Sequence, residues 1–122
     1  MRLVSGRYAI VAVLLGVLSC GSDDVGPNGH TVGARCTADN DCAKRCLLGA
    51  AFPEGYCSET CATASDCPGG SACIMVTGET AGVCMVPCRS ANDCNGFGPG
   101  YLCGRQPRQE GGEGVLVCSG NG

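Results

Sequence analysis

Residues 61–73 read CATASDCPGGSAC, and two other stretches share the opening pattern: CTADNDC at 36–42 and CRSANDC at 88–94. Each has five residues between its cysteines and an aspartate before the second one: Asp41, Asp66 and Asp93. Asn40, Ser65 and Asn92 precede those aspartates. A third cysteine follows after three, five or eight residues, at Cys46, Cys73 and Cys103. A fourth follows after ten, ten or fourteen, at Cys57, Cys84 and Cys118. The chain from 36 to 118 is therefore three tandem four-cysteine units, 36–60, 61–87 and 88–118, followed by a tail at 119–122. Three-residue spacers, Ser58-Glu59-Thr60 and Met85-Val86-Pro87, join them.

Within each unit the Asn/Ser-Asp pair predicts a local turn, because short polar side chains bond neighbouring backbone N–H groups. One carboxylate per unit is too few for a calcium cage of six to eight oxygens. Gly/Pro material after the second cysteine, Pro68-Gly69-Gly70 and 96–100, marks turns. Strands are expected at 71–76 and 101–105, carrying the third cysteine. Turns at 77–81 and 107–114 then lead to return strands at Val83-Cys84 and 115–118. Each unit reads as a loop plus a short β-hairpin. Unit one differs: residues 41–48 could form a helical turn with Cys42 and Cys46 on one face. The expected class is small and disulfide-rich, with little regular secondary structure.

Composition agrees. The chain has 122 residues, 13 cysteines, 21 glycines and no tryptophan. So short a chain, with so few large apolar residues after residue 35, buries little, and cross-links compensate. Cysteine at this density implies an oxidising compartment. Four cysteines allow three pairings per unit, so connectivity is open from spacing alone.

Upstream lies a different kind of sequence. Residues 1–7 carry Arg2 and Arg7, and 8–18 read YAIVAVLLGVL without a charge. A positive start and a short apolar run predict a signal peptide over 1–19. The run ends in Val17-Leu18-Ser19-Cys20, which resembles the lipobox of bacterial lipoproteins. That resemblance implies cleavage before Cys20, a thioether-linked diacylglyceryl group on its sulfur and acylation of the new amino terminus. The thiolate is the nucleophile such a modification needs. Conventional cleavage without lipid is the alternative. Thirteen cysteines is an odd number, and giving Cys20 to lipid leaves twelve that can pair. Residues 20–35 read as a lipid-anchored flexible tether, with a span on the order of 20 Å. An aspartate directly after Cys20 is absent, Gly21 standing there, which by analogy points to the outer membrane.

The repeat as a whole resembles the cysteine-rich repeats of predicted lipoproteins from myxobacteria, in organisation over residues 1–118. EGF-like modules are similar at the level of one unit, and imply first-to-third and second-to-fourth pairing among Cys36, Cys42, Cys46 and Cys57, among Cys61, Cys67, Cys73 and Cys84, and among Cys88, Cys94, Cys103 and Cys118. The C-x₅-C-x₅-C stretch at 61–73 also resembles whey-acidic-protein and Dickkopf-type modules. The whey acidic family ends that stretch in two adjacent cysteines, whereas Cys73 is followed by Ile74. Its inhibitory activity would fall to the loop around Arg105 and Arg108.

Functions follow from what the chain has to offer. Removal of Arg2 and Arg7 leaves six Lys/Arg against eleven Asp/Glu, a mature charge of −5, and no basic run. Nucleic acid is disfavoured as a partner. The single histidine, His30, sits in the tether, no cysteine is left as a nucleophile and no C-x-x-C occurs, so catalysis is not expected. Zinc on closely spaced thiolates (Cys42/Cys46, Cys57/Cys61, Cys84/Cys88) is an alternative that export disfavours. No cofactor is expected. The leading expectation is a non-catalytic module bound to a membrane through its lipid. Its exposed loops, above all 104–117, would recognise a protein or glycan.

Overall fold

The computed structural model describes residues 24–120. The signal peptide, Cys20 and residues 121–122 of the tail lie outside the described residues. Seven short strands form along the chain: β1 (Arg45–Leu47), β2 (Tyr56–Ser58), β3 (Thr60–Cys61), β4 (Ala72–Ile74), β5 (Gly82–Met85), β6 (Leu102–Gln106) and β7 (Val115–Ser119). The helical content among the described residues is 3₁₀ turns, including Asp39–Asp41, Ala64–Asp66 and Ala91–Phe97. The chain is a small disulfide-rich fold of stapled hairpins.

One hairpin serves each unit: β1–β2, β4–β5 and β6–β7. In every one the third and fourth cysteines stand directly opposite each other, Cys46 against Cys57, Cys73 against Cys84 and Cys103 against Cys118. They do not bond to one another. The bridges are Cys36–Cys46 and Cys42–Cys57, Cys61–Cys73 and Cys67–Cys84, Cys88–Cys103 and Cys94–Cys118. This is first-to-third and second-to-fourth throughout. Cα separations repeat as well: 5.9 Å for each first-to-third bridge, and 5.4, 5.6 and 5.4 Å for the others.

A third backbone segment completes each unit. The N–H of the fourth cysteine donates to the carbonyl of the residue two places before the first: Cys57 to Ala34 (2.8 Å), Cys84 to Glu59 (3.1 Å) and Cys118 to Val86 (3.1 Å). The spacer before each unit is thus an arm laid along its hairpin. Because 58–60 and 85–87 end one unit and begin the next, the units are continuous and cannot be separated as beads.

This corrects two boundaries. Residues 24–35 are not a free tether: Gly33 donates to Cys57 O at 2.8 Å, and Val32 and Ala34 are buried. They are unit one's arm, preceded by a turn in which Gly26 N–H reaches Val32 O. Gly33 has φ +119°, and a Cβ there would collide with the Gly26 carbonyl. The tail is shorter too, since Ser119 closes β7 and Gly120 donates to Ala51 O at 2.7 Å. The helical turn expected over 41–48 is also absent. Cys42 is extended, and Arg45–Leu47 is a strand, because Cys46 must lie across from Cys57 and its N–H is taken by Asp39 Oδ1 at 2.9 Å.

A single aromatic cluster ties unit one to unit three. Tyr56, fully buried, lies with its ring centroid 5.5 Å from Phe52, 5.9 Å from Phe97 and 6.1 Å from Tyr101. Offset contacts of this kind add to the burial of each ring. Its hydroxyl accepts the Val86 N–H at 2.9 Å, at the junction between units two and three. Burial raises the Tyr56 phenol above its ordinary value, so it remains neutral. One side chain therefore touches all three units. Tyr56→Phe leaves the Val86 N–H without its partner and should cost about 1–3 kcal/mol. Denaturant unfolding under oxidising conditions measures this; a loss near zero would show that water replaces the phenol.

Candidate functional site

The site begins with the Asp turns. Asp41 Oδ2 accepts the N–H groups of Thr37 (2.9 Å) and Ala38 (3.2 Å) and the Thr37 hydroxyl (3.0 Å). Asp66 accepts from Ala62 (2.8 Å) and Thr63 (3.2 Å), and Asp93 from Arg89 (2.7 Å) and Ser90 (3.3 Å). Each carboxylate reaches back four and three residues and closes the loop that joins the first two cysteines. The three aspartates are turn-formers and lie in separate loops.

Those loops and staples leave the turns of the hairpins to make contacts between units, and they do so in cyclic order. The turn of unit two reaches unit one: Glu79 takes Arg45 in a two-pronged ion pair, at 3.2 and 3.3 Å. The turn of unit three reaches unit two: Pro107 O accepts Met75 N–H at 2.9 Å, and Gln109 N–H donates to Cys73 O at 3.0 Å. The turn of unit one reaches unit three through the bond between Ala51 and Gly120.

Where the three turns meet, an open groove of about 860 Å³ forms. Leu48 and Phe52 come from the first turn, Met75 and Val76 from the second, and Gln106 and Pro107 from the third. Leu48 is 63 % and Met75 49 % exposed, so two large apolar side chains stand in water at its edges. Exposed apolar side chains grouped at a concavity mark a contact surface. A second, more polar concavity of about 490 Å³ is lined by Pro27, Asn28, His30, Ala34, Arg35 and Gly96. His30, read as a residue of the tether, belongs to this wall; its carbonyl accepts the Ala43 N–H at 2.8 Å.

The loop that sequence singled out, 104–117, contributes Gln106 and Pro107 to the groove. Its arginines fold back along the surface of their own hairpin. Arg105 Nη1 donates to Gly114 O and Arg108 Nε to Glu113 O, both at 2.9 Å. Neither side chain projects as a probe for a protease pocket. The closest thiol trios, such as Cys36, Cys42 and Cys57, have sulfurs within 4.8 Å of one another, but each trio contains a disulfide, whose sulfurs lack the thiolate charge that zinc takes. The residues that sequence reasoning missed are Leu48, Phe52 and Met75. The signal was there in all three, large apolar side chains between the third and fourth cysteine of their unit.

Comparison with protein-family models, with curated proteins and with solved structures finds no match to this chain. Its function is therefore read from its residues.

The Asp turns generate a pH signature. Asp41 and Asp66 are held below the ordinary aspartate value of 3.8, first by the backbone N–H groups of Thr37 and Ala62. A carboxyl with a lowered folded value stabilises the fold above its unfolded value, and that contribution is lost as pH falls through the folded one. The amide resonances of Thr37 and Ala62 should follow these carboxyls with titration midpoints below 3.8. A titration midpoint at or above 3.8 would contradict the hydrogen bonds described.

Proposed function

We propose that this chain is a lipid-anchored protein of the bacterial cell envelope whose disulfide-stapled domain is a non-catalytic structural or binding module for protein or glycan. The observation that carries the anchor is arithmetic. Of thirteen cysteines, twelve are joined in six bridges, and the one left over is Cys20, at the end of the apolar run. An unpaired cysteine in an exported chain needs a use, and lipidation supplies one. Several acyl chains hold a protein durably, at about 0.8 kcal/mol per buried CH₂. With folding beginning by Asp24, only a few residues separate Cys20 from the domain, so the domain sits close to the bilayer rather than at the end of a long leash.

The binding half of the proposal rests on the groove between the three turns. Its walls come from three units fixed by cross-links, so a ligand meets a surface already shaped, and little ordering cost is paid on binding. The outer membrane is the favoured location, since Gly21 rather than aspartate follows Cys20.

Intact-mass measurement on the purified mature protein tests both halves. We expect a chain beginning at Cys20, with the added mass of a diacylglyceryl group and an amide-linked acyl chain, and lighter by the twelve hydrogens of six disulfides. Cys20→Ala should lose acyl labelling and release a soluble protein. Unchanged membrane association in that variant would remove the anchor from the proposal.

A further inference from the structure

The three hairpins treat their outer edges differently. In each, the strand bearing the fourth cysteine is covered by its arm, so the exposed edge belongs to the strand bearing the third: β1, β4 or β6. On β1 the Cys46 N–H is taken by Asp39, and Arg45 is engaged by Glu79. The edge of β4 is covered by residues 107–109, which run antiparallel to it with Arg108 opposite Ile74. Strand β6 has only β7 as a ladder partner among the described residues.

Its free edge can be oriented from its neighbour. Cys118 N–H and Leu116 O are bonded to Val86 and Cys88, on the side of β7 away from β6. Residues 116 and 118 are therefore non-hydrogen-bonded positions toward β6, and so are Arg105 and Cys103 opposite them. Both turn their backbone N–H and C=O outward. Cys103 corresponds to Cys73, and Arg105 to Met75, the two residues of unit two that bond to Pro107 and Gln109. Unit three thus offers the same pair of groups, in the same places, with nothing laid on them among the described residues.

Gly104 is an independent sign. It stands mid-strand where unit two has Ile74. A Cβ added there would meet nothing nearer than the Gln106 side chain at 4.0 Å, and its φ lies outside the left-handed region. The fold does not require this glycine. A glycine in a strand interior often marks a bulge, a tight bend or a close approach of another backbone, and the β6–β7 register runs unbroken through Gly104, which leaves the last. Leu102, 51 % exposed, flanks it on the same face.

We infer that the β6 edge of unit three binds an extended, acidic–apolar segment of a partner protein by strand addition, in the register in which residues 107–109 cover β4. Strand addition takes its affinity from main-chain bonds and its selectivity from alternate side chains. Here the register assigns both. The partner's first residue lies opposite Arg105 and accepts its N–H; an acid there suits the guanidinium, which is exposed, uses Nη1 for the Gly114 carbonyl and keeps its other N–H groups for a carboxylate. The second lies over Gly104, where its side chain fills the open position beside Leu102, so it is large and apolar. The third donates its N–H to Cys103 O, so it is not proline. The inference rests on the reading of the domain as a protein-binding module and names its partner's form.

The test uses the mature, disulfide-bonded chain, labelled with ¹⁵N, and a blocked peptide Gly-Ser-Glu-Ile-Thr-Gly. Titration to millimolar peptide should move the amide resonances of Gly104 and Arg105, with smaller effects at Met75 and Leu48. N-methylation of the peptide's threonine removes the bond to Cys103 O and should weaken binding about tenfold. Arg105→Pro removes the outward N–H at a position an edge strand tolerates, and should abolish binding, whereas Arg105→Ala should retain it with less preference for the acid. Should Arg105→Pro fail to fold, the methylated peptide carries the test. No shift at Gly104 and Arg105, or equal binding of the methylated peptide, would overturn the inference. So would β6 shifts that depend on protein concentration alone, which would make a second copy of this chain the occupant. Acylation of Cys20 is measured separately, by mass, and either result can fail without the other.

Discussion

The structure depends on two disulfides placed side by side at one cross-strand position. A non-hydrogen-bonded pair brings facing side chains closest in an antiparallel ladder. Here both facing residues are cysteines, and each is bonded away from its neighbour, to the loop that precedes the hairpin. The loop is thereby fixed to the hairpin at two points, and the hairpin is held at one level. Bridges closing spans of 10–24 residues each restrict the unfolded chain by about 2–4 kcal/mol. Net stabilities of small domains are of that same order, so the staples can carry a fold whose apolar core is thin. The geometry then propagates. With the fourth cysteine fixed, its outward N–H needs a partner, and the three residues before the first cysteine supply it in every unit.

That propagation explains what the sequence could and could not disclose. Cysteine spacing is a covalent pattern, so the three units and their hairpins were legible, and the Asn/Ser-Asp pairs announced their turns. The arm was harder to see. Its bonds are backbone to backbone and leave no side-chain signature, so Gly33-Ala34-Arg35 read as the end of a linker. The comparison that would have found it was length: three residues precede Cys36, as three precede Cys61 and Cys88. Glycine was misleading here. Gly33 and Gly55 are not signs of a loose chain, because a Cβ at either would strike a carbonyl of an adjoining segment, Gly26 or Cys36. Close approach of two backbones and flexibility call for the same residue, and composition does not tell them apart.

Unit one shows a second ambiguity. Three residues between Cys42 and Cys46 suit a helical turn as well as a tight loop entering a strand. Local spacing cannot choose; the partner of Cys46 across the ladder does. The candidate groove was less legible still. Leu48, Met75 and Pro107 lie in different units, and only the cyclic contacts of the turns bring them together. Tyr56, whose ring and hydroxyl touch all three units, is a residue that nothing in its neighbourhood of sequence distinguishes from an ordinary strand tyrosine.

The turns of units two and three reach their neighbours in different ways. Unit two has ten residues between its third and fourth cysteines, and its turn reaches unit one with a side chain, Glu79 to Arg45. Unit three has fourteen, and its turn lays a strand-like backbone on β4, with Glu110 extending further to the Ala64 N–H at 3.1 Å. A side-chain ion pair half exposed to water contributes little, roughly 0–1 kcal/mol, whereas backbone bonds fix register as well as position. The longer turn is thus the one that locks two units together, and it is also the source of an edge left open, since the same chain that leaves β6 to cover β4 cannot cover β6. The turn of unit one reaches back to unit three at Gly120, through the Ala51 carbonyl, and does not cover β6, whose outer edge has no ladder partner among the described residues.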